Sequence, residues 1–173
     1  MPIYLETPRL ILFSTPLAVV RTRLVQTDFS ASVSLLSGTR EIFFPAPWPG
    51  DALMFFPGID EAGVEPDDWS GTLLEKSTNI AIGQLGTMGQ PDANGSIEIG
   101  YGLNPDAWGK GYATEIVGAF TAWLLQQPNV KTVRADTAVG NLASQRVLQK
   151  NGFLICGEGE NDEDGKLLCW AKS

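Results

Sequence analysis

The sequence predicts a mixed α/β (α+β) fold with helices covering a sheet. Three observations carry this. Residues 72–103 hold three apolar or alternating runs separated by polar turns, the pattern of a three-stranded antiparallel meander. Residues 112–126 place Ala113, Ile116, Val117, Phe120 and Leu124 on one helical stripe. From Ser96 onward the elements follow the order β-α-β-α-β-β, which builds a mixed sheet with helices packed against it.

Taken in order, Leu10-Ile11-Leu12-Phe13 is a short continuous apolar run and reads as a buried strand. Thr15-Pro16 opens a helix to about Gln26, with Pro at its first position. Residues 45–68 are dense in Pro, Gly and acids and read as loop around one short helix near 51–56, ended by Pro57-Gly58. Thr72–Glu75 and Ile80–Met88 are strands joined by the polar turn Lys76–Asn79. After a second turn at Gln90–Gly95, Ser96–Leu103 alternates. Ile97, Ile99, Tyr101 and Leu103 fall on one face, and Ser96, Glu98, Gly100 and Gly102 on the other.

Pro128 stops the helix over 112–126. Lys131–Thr137 is a strand. Asn141 caps a helix over Leu142–Asn151, and Gly152 takes the C′ position. Phe153–Glu158 and Lys166–Ala171 make the last hairpin. It carries Cys156 and Cys169 as near cross-strand neighbours, where a disulfide is geometrically possible and two buried thiols are expected in a cytoplasmic chain. Glu158, Glu160, Asp162, Glu163 and Asp164 form a solvated turn.

At 173 residues and 18.6 kDa the chain fits one domain over residues 1–173. Its longest charge-free stretches, 77–91 and 116–130, are 15 residues each. A membrane helix needs about 20 apolar residues, so no membrane partner is expected. Glu6 precedes any basic residue and no small-residue cleavage site follows, so no secretory signal is expected. There is no histidine, which excludes imidazole bases and histidine-ligated zinc. Two cysteines cannot make a four-cysteine zinc site, and no metal is expected.

Twelve basic against 20 acidic residues give a net charge of −8, which disfavours nucleic acid as a partner. The imbalance sits in residues 41–75, which hold eight acids, no basic residue and the aromatics Phe43, Phe44, Trp48, Phe55 and Phe56. That block is either a solvated face over a satellite core or a pocket that attracts a cation.

Residues 104–114 read Asn-Pro-Asp-Ala-Trp-Gly-Lys-Gly-Tyr-Ala-Thr, between a strand and a helix. Glycines there let the backbone turn sharply and expose N–H groups, and the helix start adds a positive dipole end. This is an anion cradle suited to a pyrophosphate, with Lys110 adding charge. It is not a Walker A loop, because six residues separate Gly102 from Gly109-Lys110 and Gly111 follows the lysine. The bland alternative is a glycine-rich turn.

Glu98-Ile-Gly-Tyr101, then Trp108-Gly-Lys-Gly-Tyr-Ala-Thr-Glu115, then Asn141-x-x-Ser144-x-x-Val147-Leu-x-Lys150-x-Gly-Phe153 resembles the GNAT superfamily of N-acetyltransferases. The chain looks most like the branch that acetylates ribosomal-protein N-termini, and Thr7-Pro8-Arg9-Leu10 matches that branch too. The resemblance covers nearly the whole chain and is weakest over 30–68. It implies a mostly antiparallel central sheet with a splayed strand pair, flanked by helices. It also implies acetyl-CoA as cosubstrate and an amine acceptor.

By resemblance, the pantetheine arm pairs with backbone around Gly100–Leu103, including Tyr101 and Leu103. The pyrophosphate lies on the N–H groups of Gly109, Lys110, Gly111, Tyr112, Ala113 and Thr114, and Asn141 bonds the pantetheine arm. Trp108 stands where the family usually carries Arg or Gln, a minor departure for a contact made by backbone.

Acetyl transfer needs a neutral amine, a polarised carbonyl and a stabilised thiolate. Glu98, the only acid between Asp92 and Asp106, is the candidate base. The alternatives are a Glu paired with a Lys or Arg on the sheet face, and a base drawn from the 158–164 acids. Ser144, in the first turn of the Asn141-capped helix, is the candidate acid or thiolate stabiliser, or else a Ser bonding the cap. The family fold also allows a non-catalytic acyl-CoA-binding module. The last hairpin and the aromatics allow a homodimer.

Overall fold

The apolar runs become strands whose side chains are covered on the faces the sequence assigns. The computed structural model describes residues 2–46, 53–66 and 68–173. Its elements are β1 (Tyr4–Glu6), β2 (Leu10–Phe13), α1 (Leu17–Val25), β3 (Phe29–Leu35), β4 (Gly38–Phe44), α2 (Phe56–Ala62), β5 (Ser70–Glu75), β6 (Ile80–Thr87), β7 (Ser96–Leu103), α3 (Tyr112–Leu124), β8 (Thr132–Ala138), α4 (Leu142–Lys150), β9 (Leu154–Asn161) and β10 (Gly165–Lys172). The described pairings are antiparallel apart from β4 with β6 and β7 with β8. This is the mixed, mostly antiparallel class expected. No described helix is long and apolar enough to cross a membrane.

The chain divides into two compact units, Met1–Gly86 with Tyr101–Tyr112 and Thr87–Gly100 with Ala113–Ser173. In the first unit, β2 pairs β1 on one side and β5 on the other, and β5 pairs β6. All four side chains of β2 are buried, as a continuous apolar run requires. A hairpin not expected from the sequence, β3–β4, joins this unit and touches β6 through Phe43↔Ile80. Ile11, Phe13, Val19, Phe29, Val33, Ile42, Phe44 and Leu74 form its core. Phe29 and Phe44 stack at 4.9 Å between ring centroids, worth about 1 kcal/mol beyond their buried area.

In the second unit, β8 pairs β10 from Val133 to Ala138, and β10 pairs β9. The parallel β7–β8 ladder covers only Ser96, Ile97 and Glu98 and stops at Glu98↔Arg134, although β8 runs on to Ala138. That early stop is the expected splay. Ile116, Val117, Phe120 and Leu124 of the predicted stripe are fully buried. Asn151, just past α4, donates through Nδ2 to the Thr114 carbonyl in the first turn of α3 at 3.0 Å.

Several expectations need correction. Of the helix placed near 51–56, residues 51 and 52 lie outside the described set and Leu53 is helical; a helix not expected from the sequence follows over Phe56–Ala62. Pro57 sits in its first turn, where the missing N–H costs nothing, so it opens the helix rather than ending it. Gly63, at φ 66°, is the terminator. Pro16 precedes α1 in extended conformation instead of occupying its first turn. The cysteines are not two buried thiols. Both are free, Cys156 is exposed and Cys169 half-buried. A bulge shifts the register of the last hairpin, so Cys169 faces Gly157 and Cys156 falls at the irregularity.

Close approach of backbones makes glycine obligatory at more than one place, Gly83 among them. A Cβ on Gly83 of β6 would lie 2.2 Å from the Gly102 carbonyl oxygen and 3.0 Å from the Leu103 Cα. Backbone on that side cannot swing away, so Gly83→Ala should cost about 3 kcal/mol and lower Tm by roughly 6–12 °C. Gly58→Ala in α2, with nothing within 4 Å, should not lower it. Thermal melts of the two variants check this.

Candidate active site

The loop after β7 is built within the first unit. Asn104 N–H donates to the Ile82 carbonyl at 2.8 Å, and a 3₁₀ turn follows over Pro105–Ala107. Trp108 Nε1 donates to the Leu103 carbonyl at 2.9 Å, which leaves 65% of the residue exposed. Gly109 and Gly111 then take φ 72° and 79°, values that disfavour any side chain. Among the described residues, the N–H groups of Gly109, Lys110 and Gly111 donate to no other backbone group. They arrive unspent at the start of α3, whose first-turn N–H groups also lack helical acceptors.

Three side chains hold this loop. Arg9 Nη1 donates to the Lys110 carbonyl at 2.8 Å, and its guanidinium lies 4.6 Å from the Tyr112 ring centroid. The buried Tyr112 hydroxyl donates to Glu75 Oε1. Glu75 Oε2 accepts from the Thr78 hydroxyl at 2.6 Å. The Thr78 hydrogen bond, then that of Tyr112, holds the Glu75 carboxyl below the usual glutamate range; Lys110 and Arg9 add to the effect. The sequence analysis assigns no role to Glu75 or Arg9. The available signals were a carboxylate closing the apolar run Thr72-Leu73-Leu74 and an arginine inside a terminal motif.

The other predicted residues belong to the second unit, apart from Tyr101, Leu103 and the loop. Glu98 stands half-buried across from Arg134. Burial pushes its carboxyl up, the negative charge of Asp136 pushes the same way, and Arg134 opposes both. Its carbonyl accepts from Met88 N–H at 2.8 Å. The face beside it is not wholly bare, since Met88 Sδ lies 3.5 Å from where a Gly100 Cβ would be. Asn141 Oδ1 accepts from the Ser144 N–H at 3.1 Å, the capping bond predicted for that helix. Ala113 and Thr114 lie in the first turn of α3. The acids Glu158 and Glu160 are exposed, across from Leu168 and Lys166 on β10.

The acidic block of residues 41–75 is largely occupied locally. Asp60 pairs with Arg21 Nε at 2.7 Å, Glu65 accepts from Leu17 N–H, Glu41 accepts from the Ser32 hydroxyl, and Glu75 holds Tyr112. Asp67 and Trp48 lie outside the described residues. Among the described residues, no three His, Cys, Asp or Glu side chains gather as a metal site.

The model of the acetyltransferase (GNAT) domain matches residues 24–154. The chain belongs to the GNAT acetyltransferase family. An uncharacterized N-acetyltransferase of Bacillus subtilis, YjdG, is 35% identical over 89 residues, covering 51% of this chain and 52% of the relative. The match thus spans about half the length of that curated relative. A solved GNAT-family acetyltransferase from Bacillus anthracis superposes with a TM-score of 0.67 at 15% identity, covering 98% of each chain. RimL, a ribosomal α-N-protein acetyltransferase solved in complex with coenzyme A, gives 0.65 at 15% identity, covering 98% of this chain and 97% of its own. At these identities the likeness is one of fold.

The loop of this GNAT chain rests on an ionised Glu75, which gives a stability test. A carboxyl held below its unfolded pKa stabilises the fold above that pKa and loses the contribution as pH falls through the folded one. Glu75→Gln should therefore lower Tm by roughly 5 °C at pH 7. The gap to wild type should close below about pH 4. Thermal melts across pH 3–8 measure it, and a gap that widens in acid would refute the assignment.

Proposed function

We propose that the chain is an acetyl-CoA-dependent N-acetyltransferase that moves the acetyl group to a primary amine by direct attack on the thioester, acting as one domain over residues 1–173. The observation that carries this reading is the trio of unspent N–H groups at Gly109, Lys110 and Gly111, held at a helix start in the GNAT fold. Backbone donors at positive-φ glycines make a rigid anion cradle, and a diphosphate satisfies them without any side-chain rearrangement. A coenzyme A complex is known for a protein of the same fold, which supports the same donor here.

The residues divide the work as follows. The N–H groups of Gly109, Lys110, Gly111, Tyr112, Ala113 and Thr114 take the diphosphate. Backbone at Tyr101 to Leu103 pairs with the pantetheine arm, and a strand N–H there polarises the thioester carbonyl. Asn141 spends Oδ1 on the helix cap, so it meets the arm through its amide N–H. Glu98, directly or through a water, removes a proton from the incoming ammonium. The amine nitrogen then forms the N–C bond as the C–S bond breaks; the departing thiolate takes a proton from the Ser144 hydroxyl, and the second proton lost by the nitrogen as it becomes an amide restores that hydroxyl. A raised carboxyl pKa suits Glu98 to the role, because a stronger base shares the proton more evenly with the amine. A protein N-terminus, with a pKa of about 8, asks less of that base than a lysine-type amine at about 10.4.

Thiol release from acetyl-CoA with a panel of peptide N-termini and small amines tests the reaction. A thermal shift with acetyl-CoA but no turnover on any amine would favour a binding module instead. Glu98→Gln should lower kcat/KM by roughly 10²–10³. Removing the Asp136 charge eases ionisation of Glu98, so Asp136→Asn should move the ascending limb of the pH–rate profile to lower pH, and Arg134→Gln should move it to higher pH. Limbs that stay in place in both variants would remove Glu98 from the role of base.

A further inference from the structure

The last hairpin carries both thiols of the chain, and acetyl transfer uses neither. Cys156 lies on the edge strand β9, and Cys169 lies on β10, between β9 and β8. Cys169 stands directly opposite Gly157, the residue next to Cys156. Opposite Cα atoms in an antiparallel pair are about 5 Å apart, so the diagonal from Cys169 to Cys156 is roughly 6 Å. A disulfide spans Cα separations of about 4.4–6.8 Å. Distance alone does not suffice, because regular alternation would send residues 156 and 157 to opposite faces. The ladder is not regular there. Ile155 pairs with Trp170 and Gly157 with Cys169, so Cys156 is the extra residue of a bulge. A bulge releases that residue from the alternation and re-aims its side chain. The strip of β9 facing Cys169 is also clear. The Cys169 Sγ lies 3.6 Å from where a Gly159 Cβ would be, and nothing lies within 4 Å of the corresponding point on Gly157.

The two thiols are unlike. Cys156 is exposed and Cys169 half-buried. Burial, then a hydrogen bond to Asp136 and the charge of that carboxylate, push the Cys169 thiol up; Cys156 adds to the effect from across the hairpin. A sulfur that stays protonated is a poor first nucleophile, so the exposed Cys156 meets an oxidant first. Cys169 then needs a base. Asp136, opposite it on β8 and open to solvent, can take the proton. From Glu158 to Lys166 the hairpin holds five acids and one lysine. That field draws cations and repels anions.

We infer that Cys156 and Cys169 are a redox site, at which a small cationic disulfide oxidises Cys156 and Cys169 resolves the adduct into an intramolecular disulfide. In the first step the Cys156 thiolate attacks one sulfur of the oxidant. The mixed disulfide forms, and a small thiolate leaves and takes up the proton that Cys156 gave to water. In the second step Cys169 passes its proton to Asp136 and attacks the Cys156 sulfur. The Cys156–Cys169 bond forms, and the second small thiolate leaves with a proton from Asp136. Two protein thiols are oxidised, and one disulfide is reduced to two thiols. The site is independent of the amine acceptor and of the donor coenzyme.

Treatment of the intact chain with cystamine, alkylation of the remaining thiols and peptide mapping without reductant test it. Wild type should give the peptides of Cys156 and Cys169 joined within one chain, and dithiothreitol should separate them. Cys169→Ser should stop at the mixed disulfide on Cys156. Cys169→Ala stands in if that variant does not fold. Cys156→Ser should lose the reaction and keep Cys169 open to alkylation. Cystamine should react about tenfold faster than oxidised glutathione, with the difference narrowing in salt. Equal rates would overturn the preference for a cation. A wild type that keeps the mixed disulfide while Cys169 is still alkylated would overturn the pairing. So would cross-links between two chains only, or no modification of Cys156.

Discussion

Peptide N–H groups that end without an acceptor are a cost, and Gly109, Lys110 and Gly111 present three in succession. Water or an anion must take them, and the surrounding chain has to keep them from collapsing onto a nearer carbonyl. Two positive-φ glycines make the geometry available, but they do not hold it. Holding falls to Arg9 on the Lys110 carbonyl and to the buried Tyr112–Glu75 bond. Removing either would free the loop to satisfy itself, which is why a carboxylate can stand 8% exposed at the end of β5.

The elements with a strong period were legible in the sequence. The α3 stripe, the Asn141 cap and the alternation of Ile97 and Ile99 in β7 follow from spacing alone. The β3–β4 hairpin was not. Its alternation is present, with Phe29 and Val33 buried, but serines interrupt it at every second position and no continuous apolar run marks the strand. The α2 helix was not legible, because Pro can open a helix as well as close one and Pro57-Gly58 reads equally as an end. Within the site, the glycine loop was legible as a sharp turn that leaves backbone N–H groups exposed. Arg9 and Glu75 were not, because their partners Lys110 and Tyr112 lie 101 and 37 residues away. Long-range pairs of that kind leave no local pattern.

Charge in this chain is arranged rather than spread. The acids of residues 41–75 read as a solvated face or as a pocket that attracts a cation, and Asp60, Glu65 and Glu41 are each engaged by a neighbour. Only the pairing of Asp60 with Arg21 cancels a charge, while Glu65 and Glu41 keep theirs and are held in place by neutral donors. The cations that face the loop matter more than the net charge suggests, because they lie beside a dipole of the same sign at the start of α3. In the second unit the balance around Glu98 is finer. Arg134 and Asp136 oppose one another two residues apart on β8, and burial decides the outcome.

The bond from Asn151 to the Thr114 carbonyl turns α4 into a gauge. One end of the helix is pinned to the turn where the anion cradle begins, and Ser144 stands seven residues back, about 10 Å along the axis. Adding or deleting a single residue between those points would rotate the hydroxyl by about 100° as well as displace it. Helix length there consequently fixes where Ser144 stands.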